Sequence, residues 1–227
     1  MVAMSTVVSA VVSTVGDPAA TAPTVDPRPS PSRRSRKKSR TYAALVEAGA
    51  ELFASRGFDE TTTLDIAERA DVSQRTLFRH FPSKEAVLYG DMDEVLFALR
   101  DALASRPVDE PVLTVVHEAV TSLAQNFEEH RERRLLQARL AAAYPSVSAY
   151  SRATVQLGWE REIIAATADR LGVDPLVDPR PEIIAGATMS AVRVATRQWT
   201  LSGGTDDYVQ LISRALDSVP SVAELAA

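Results

Sequence analysis

The chain has 227 residues, 45% of them hydrophobic, enough to bury one sizeable core or two small ones without excluding an enzyme. It has no cysteine, which removes disulfides, thiolate zinc sites and cysteine nucleophiles and suits a reducing cytoplasm, the expected location. The net charge of −5 hides an uneven distribution: residues 33–90 carry 11 Lys and Arg against 8 Asp and Glu, residues 91–227 carry 13 against 20. Such a chain suits a nucleic-acid contact at one end, with the remaining surface kept away from phosphate.

Residues 1–32 are rich in Ser, Thr, Val, Ala and Pro, and Pro23, Pro27, Pro29 and Pro31 oppose helix and central strand, so they read as a disordered tail. The apolar stretch Val7 to Val15 has no basic residue before it, unlike a secretory signal. Met1 and Met4 remain alternative translation starts. Residues 33–40 then hold six positive charges, Arg36, Lys37, Lys38 and Arg40 among them. Such a run is a solvated segment or, placed directly before the first helix, a DNA-contacting arm.

From Thr41 to about Ser218 the apolar spacing is helical, with almost no strand-like alternation. Leu45, Ala48, Leu52 and Phe53 mark a first helix, and Gly57 supplies a left-handed stop. Thr62 and Asp65 form a capping box that opens a short second helix through Ile66 and Ala67. Asp71-Val72 makes a turn, Ser73 caps a third helix to Phe81, and Pro82-Ser83 restarts the chain for a long helix from Lys84 to about Ser105. Later breaks are expected at Pro107 to Pro111, Pro145, Gly172 to Pro181, Gly203-Gly204 and Pro220. No run approaches the ~20 apolar residues of a membrane span. The expected fold is all-α: a three-helix head over 40–88 after the tail and arm of 1–39, an antiparallel helical domain over 89–220, and a tail at 221–227.

Two short helices joined by a tight turn and crossed by a longer one make a helix-turn-helix. Val72, Leu77 and Phe81 form an inner face, while Gln74, Arg75, Thr76 and Arg79 point outward. Arg pairs with guanine and Gln with adenine through bidentate bonds, so Gln74, Arg75 and Thr76 are the candidate base readers. Thr62, Arg79 and Lys84, with the arm residues, are candidate backbone contacts. Lys84 stands at a helix start, where its charge opposes the dipole and a phosphate neighbour would explain it.

Residues 43–89 resemble the tetracycline-repressor family of regulators. The likeness rests on Glu51-Leu52-Phe53 with Gly57-Phe58, on Thr62-Thr63-x-x-Ile66-Ala67, and on Val72-Ser73-x-x-Thr76-Leu77-Phe78-x-His80-Phe81-x-x-Lys84. The resemblance implies that Ser73, Thr76, His80 and Lys84 bind phosphate or support the docking helix. It assigns base reading to Gln74 and Arg75. Phe78 stands where the family usually has a tyrosine that touches phosphate, so that contact is lost or passes to Arg79. A lone histidine is more often a packing residue, and only its place in the pattern turns His80 towards phosphate. His80, His117 and His130 have no metal-ligand spacing, and no cofactor or metal is expected.

In the second half, His117, Tyr144, Tyr150, Trp159, Met189, Arg193 and Trp199 are polar or aromatic residues set in apolar helices and are the candidate pocket lining. Tyr144-Pro145, Ala149-Tyr150-Ser151, Gly158-Trp159 and Trp199 resemble a subgroup with acyl-coenzyme-A-like effectors, the mycofactocin-system regulator included. That likeness implies an acyl-accepting pocket, with Arg139, Arg193 or Arg197 facing an acidic head. Ala185, Gly186, Ala187, Ser190 and Ala191 permit close helix approach, and the family implies a homodimer through the last two helices. Dimerisation also follows from the small surface of one recognition helix, since two-fold symmetry adds a second half-site of a pseudo-palindromic operator. The expected function is a repressor released from double-stranded DNA by a small apolar or acyl-type effector. Arg75→Ala is expected to relax sequence preference, and Lys84→Ala to weaken all sequences alike. The alternatives are an effector-independent nucleoid factor, a non-DNA helical adaptor, and a helical enzyme, for which no nucleophile elbow, phosphate loop or acid–base pair stands out.

Overall fold

The computed structural model describes residues 33–127 and 130–224, with backbone alone at 33–38, 126 and 220–224. The predicted tail of 1–32 and the last three residues lie outside the described residues. The elements are α1 (Arg33–Arg56), α2 (Thr63–Arg69), α3 (Gln74–His80), α4 (Lys84–Leu88), α5 (Met92–Ala104), α6 (Val112–Phe127), α7 (Arg131–Ala143), α8 (Pro145–Tyr150), a π-helical turn Ser151–Gln156, α9 (Leu157–Leu171), α10 (Arg180–Leu201) and α11 (Tyr208–Glu224). Among the described residues there is no strand, and no helix is long and apolar enough to cross a membrane.

Two cores organise these helices. The head core holds Leu45, Leu52, Phe53, Phe58, Ile66, Leu77, Phe81 and Val87, drawn from α1 to α4. It is closed from outside the head by Leu140 of α7 and Val147 of α8. The second core joins Leu99, Leu103, Val115, Val120, Trp159, Ile163, Ala185, Trp199, Tyr208 and Ile212 of α5, α6, α9, α10 and α11. Helix α10 packs between α9 and α11, and α5 lies against α6 and α9.

Several sequence expectations take their observed form. Gly57 has φ of 89° and ends α1, where its N–H donates to Phe53 O. Thr62 and Asp65 form both bonds of the capping box, and Ser73 accepts from Thr76 N. Asp71 takes a left-handed φ of 53° in the turn, a conformation that Asp tolerates better than most residues.

Others need correction. Helix α1 starts at Arg33, so the basic run is continuous with the first helix and is not an arm before it. The expected long helix from Lys84 to Ser105 is two, broken at Tyr89-Gly90-Asp91. The reason is packing: a Cβ on Gly90 would sit 2.4 Å from Val46 Cγ2 and 3.1 Å from Phe81, so only glycine lets the backbone meet α1 this closely. Likewise, the stretch between Pro111 and Pro145 is two helices, α6 and α7, and α11 runs through Pro220 to Glu224.

Tyr42 of α1 holds this break, its hydroxyl donating to Gly90 O at 2.5 Å. Burial, then the nearby Asp93, Asp91 and Glu94 carboxylates, push its phenol up to about 12. The folded phenol stays protonated where an unfolded one ionises, so its contribution to stability is complete below about pH 10 and is lost as pH rises through about 12. Tyr42→Phe should remove that part of the alkaline destabilisation, read by urea unfolding across this range. Gly90→Ala should destabilise by about 1–3 kcal/mol through overpacking, measured the same way.

Candidate DNA-binding head and ligand cavity

The seven residues of α3 are fixed from both ends. Ser73 caps the helix start, with its Oγ 3.0 Å from Thr76 Oγ1, and Leu77 is fully buried in the head core. Gln74, Arg75, Phe78 and Arg79 are exposed on the other side. Phe78 is 50% exposed, a large apolar ring left at the surface of the helix that the motif assigns to DNA. Gln74 Nε2 donates to Thr63 Oγ1 at 3.0 Å, which ties the starts of α2 and α3 together.

Thr62, Thr76 and His80 are engaged within the head. Thr62 Oγ1 donates to Asp65 Oδ2, and this bond, with the one from the Thr62 backbone, holds the exposed Asp65 carboxyl below its ordinary range. Thr76 is half-buried beside Ser73. His80 lies edge-on to Tyr42, ring centroids 6.0 Å apart, and against Phe81. Of the basic run, Arg40 is exposed, while the side chains of Arg36, Lys37 and Lys38 lie outside the described residues.

Lys84 departs most from expectation. Its Nζ donates to Phe58 O at 2.7 Å and Thr61 O at 3.3 Å, and stands 4.2 Å from the Phe58 ring centroid. The charge that opposes the α4 dipole is satisfied by carbonyls of the α1–α2 loop, so a phosphate is not needed to explain it. No sequence rule placed residues 58–61 beside residue 84.

The second feature is a cavity of about 490 Å³ in the helical domain. Of the predicted lining, Trp159, Met189, Arg193 and Trp199 meet on its wall, as does Arg197. The other three do not line it. His117 faces α11, with Nε2 3.2 Å from Asp217 Oδ1. Tyr144 packs on Phe58 in the head, centroids 5.3 Å apart. Tyr150 stacks on Tyr89, and only Tyr89 reaches the cavity. Arg139 instead donates to Gly203 O at 3.3 Å.

Sequence reasoning missed Phe127, Arg134, Gln137, Arg152, Thr196 and Tyr208, all on the wall. Arg134 and Gln137 stand on a helix rich in charge, yet they are 9% and 5% exposed. Ser151, Arg152, Val155 and Gln156 reach the wall from the π turn, a geometry frequent at functional sites.

A rigid helix-turn-helix with a polar outer face, joined to a helical domain that encloses an apolar cavity, defines a DNA-binding transcriptional regulator. Residues 45–89 match the bacterial regulatory proteins of the tetR family, and residues 110–223 match the MftR C-terminal domain. The regulator TcmR of Streptomyces glaucescens is 31% identical over 195 residues, spanning 83% of this chain and 84% of TcmR. MftR of Mycobacterium tuberculosis is 29% identical over 171 residues, 75% of this chain and 85% of that one. Among solved structures, Thermus thermophilus FadR in complex with lauroyl-CoA superposes with a TM-score of 0.52 at 22% identity, covering 78% of this chain and 92% of that one. The chain belongs to the tetR family of bacterial transcriptional regulators.

The Lys84 geometry generates a test within the head. Lys84→Met should lower stability by about 1.5–3 kcal/mol in urea unfolding, the loss of charged hydrogen bonds, whereas a lysine that served phosphate alone would leave the midpoint unchanged.

Proposed function

We propose that the protein is a homodimeric repressor whose grip on a pseudo-palindromic operator is released by a ligand in the α5–α11 domain. The observation that carries this is the cavity. Its wall is mainly apolar, and the exposed arginines Arg152, Arg193 and Arg197 reach it from two elements. An apolar chain fits the interior and an acidic or phosphate-bearing head fits the arginines, the chemistry of an acyl-CoA. The lauroyl-CoA complex of T. thermophilus FadR, which shares this fold, supports that class.

On the DNA side, Gln74 and Arg75 read bases and Arg79 meets phosphate. Ser73, Thr76, Thr62 and His80 act chiefly by holding α2 and α3 in place, given the bonds and ring contacts they already make. Phe78, without a hydroxyl and half exposed, offers an apolar contact to a thymine methyl where a tyrosine would donate to phosphate. The dimer forms through α10 and α11, whose outer faces share an apolar groove containing Ala187, Ala191, Leu211 and Ala215. Ile183 and Val194 in that groove are 64% and 50% exposed, as suits residues that a second copy covers.

The test is a salt-titrated gel shift on an operator selected from random duplexes. Arg75→Ala should relax base preference, and Arg79→Ala should weaken all sequences and reduce the salt slope by about 1. Replacing operator thymines by uracil should weaken wild type more than Phe78→Ala. Lauroyl-CoA should release the wild-type protein, and the Arg152/Arg193/Arg197→Gln variant should bind it more weakly while keeping operator affinity. Unchanged operator binding in the Arg75 and Arg79 variants would overturn the DNA-contact assignment.

A further inference from the structure

The break between α4 and α5 is where head and cavity meet, and it is gripped from both sides. From the head, Tyr42 donates to Gly90 O. From the cavity wall, Gln137 Nε2 donates to Leu88 O at 2.8 Å and to Asp91 Oδ1 at 3.3 Å. Arg134 Nη2 pairs with Asp91 Oδ2 at 2.8 Å, and Arg134 Nη1 donates to Gln137 Oε1 at 3.0 Å. The Asp91 and Arg134 side chains are 11% and 9% exposed, so the pair stands largely out of water.

Arg134 also has an unused donor. Its Nε is buried without an acceptor, as is Trp199 Nε1, and both side chains belong to the cavity wall. The guanidinium lies 4.5 Å from the centroid of Phe127, another wall residue. A buried donor without a partner costs stability, and an acceptor supplied by a ligand recovers that cost.

We propose that Arg134 reads occupancy of the cavity. The ligand is an apolar molecule carrying an acceptor oxygen, a carbonyl or carboxylate. That oxygen draws the guanidinium away from Asp91, and the 88–91 segment loses its hold on α7. Asp91 then retains Gln137 and the more distant Arg133, whose Nη1 is 3.9 Å away. The head, no longer fixed to the ligand-binding domain through this segment, must be ordered again on DNA, and operator affinity falls. The proposal rests on the ligand response inferred above and adds the residue that transmits it.

The experiment needs no knowledge of the natural ligand. Arg134→Lys keeps the charge but removes Nε and the planar fork, Asp91→Asn removes the carboxylate charge, and Arg139→Gln on the same helix is the control. Without ligand, Arg134→Lys and Asp91→Asn should bind the selected operator about fivefold more weakly or worse. Their backbone amides at 88–92 should exchange faster, with unchanged far-ultraviolet dichroism and with Arg139→Gln like wild type. With lauroyl-CoA as probe, both variants should show a smaller further loss of operator affinity than wild type. If the two variants are folded and keep wild-type operator affinity, or lose it without faster exchange at 88–92, the proposal is wrong. If wild type neither binds nor responds to lauroyl-CoA, the acyl-CoA reading fails, while the ligand-free arms still decide the role of Arg134.

Discussion

The structure depends on a three-residue break, Tyr89 to Asp91, in what the sequence presents as one helix. At Leu88 to Asp91 the chain passes from the head core to the second core, and its polar groups are held by Tyr42 on one side and by Gln137 and Arg134 on the other. A continuous helix here would carry the head rigidly on the second domain. Because the helix is broken, carbonyls that a continuous helix would use, and the Asp91 carboxylate, become points that each domain can grip. The close approach of Gly90 to Val46 fixes where the break falls, since any side chain there forces α1 away.

The head is not an independent unit. Leu140 and Val147 complete its core, Tyr144 packs on Phe58, and α8 lies against α4. A displacement of α7 or α8 therefore reaches α3 through packed side chains, in parallel with the polar segment at 88–91. Both routes begin on the same wall: Arg134 and Gln137 stand on α7, while Ser148 on α8 and Ser151, Arg152, Val155 and Gln156 on the turn after it also face the cavity.

The head was legible in the sequence because its signals are local. A capping box at Thr62 and Asp65, a left-handed stop at Gly57 and the three-residue spacing of Ser73 and Thr76 each act over a few residues, and each took its expected form. What failed to show was long-range. Lys84 finds its carbonyls at residues 58 and 61, and Tyr42 finds Gly90 across 48 positions. No periodicity encodes such meetings. The cavity was half legible for the same reason: large aromatics such as Trp159 and Trp199 announce an apolar interior, but Arg134 ends the charged run Arg131-Glu132-Arg133-Arg134, with Gln137 one turn on, and such a run reads as a solvated face. The π turn carries no glycine or proline and left no mark on the pattern. Tyr144 and Tyr150 were assigned to a pocket because an aromatic in an apolar helix signals burial, and burial alone does not say which of two cores receives it.

The energetics of the Asp91–Arg134 pair give the proposed coupling a direction. Breaking a buried pair by removing one partner costs about 3–5 kcal/mol, most of it from the charge left behind. A ligand acceptor satisfies the guanidinium, so Arg134 does not carry that cost. Asp91 does. Gln137 and Arg133 compensate it in part, and full hydration requires the carboxylate to move outward with the segment that bears it. That segment also holds Gly90, so the movement loads the contacts with Val46 and Tyr42 in α1 and, through them, the platform on which α3 rests. The ligand need not push the head. It removes a partner from one carboxylate, and the demand of that charge for water does the rest.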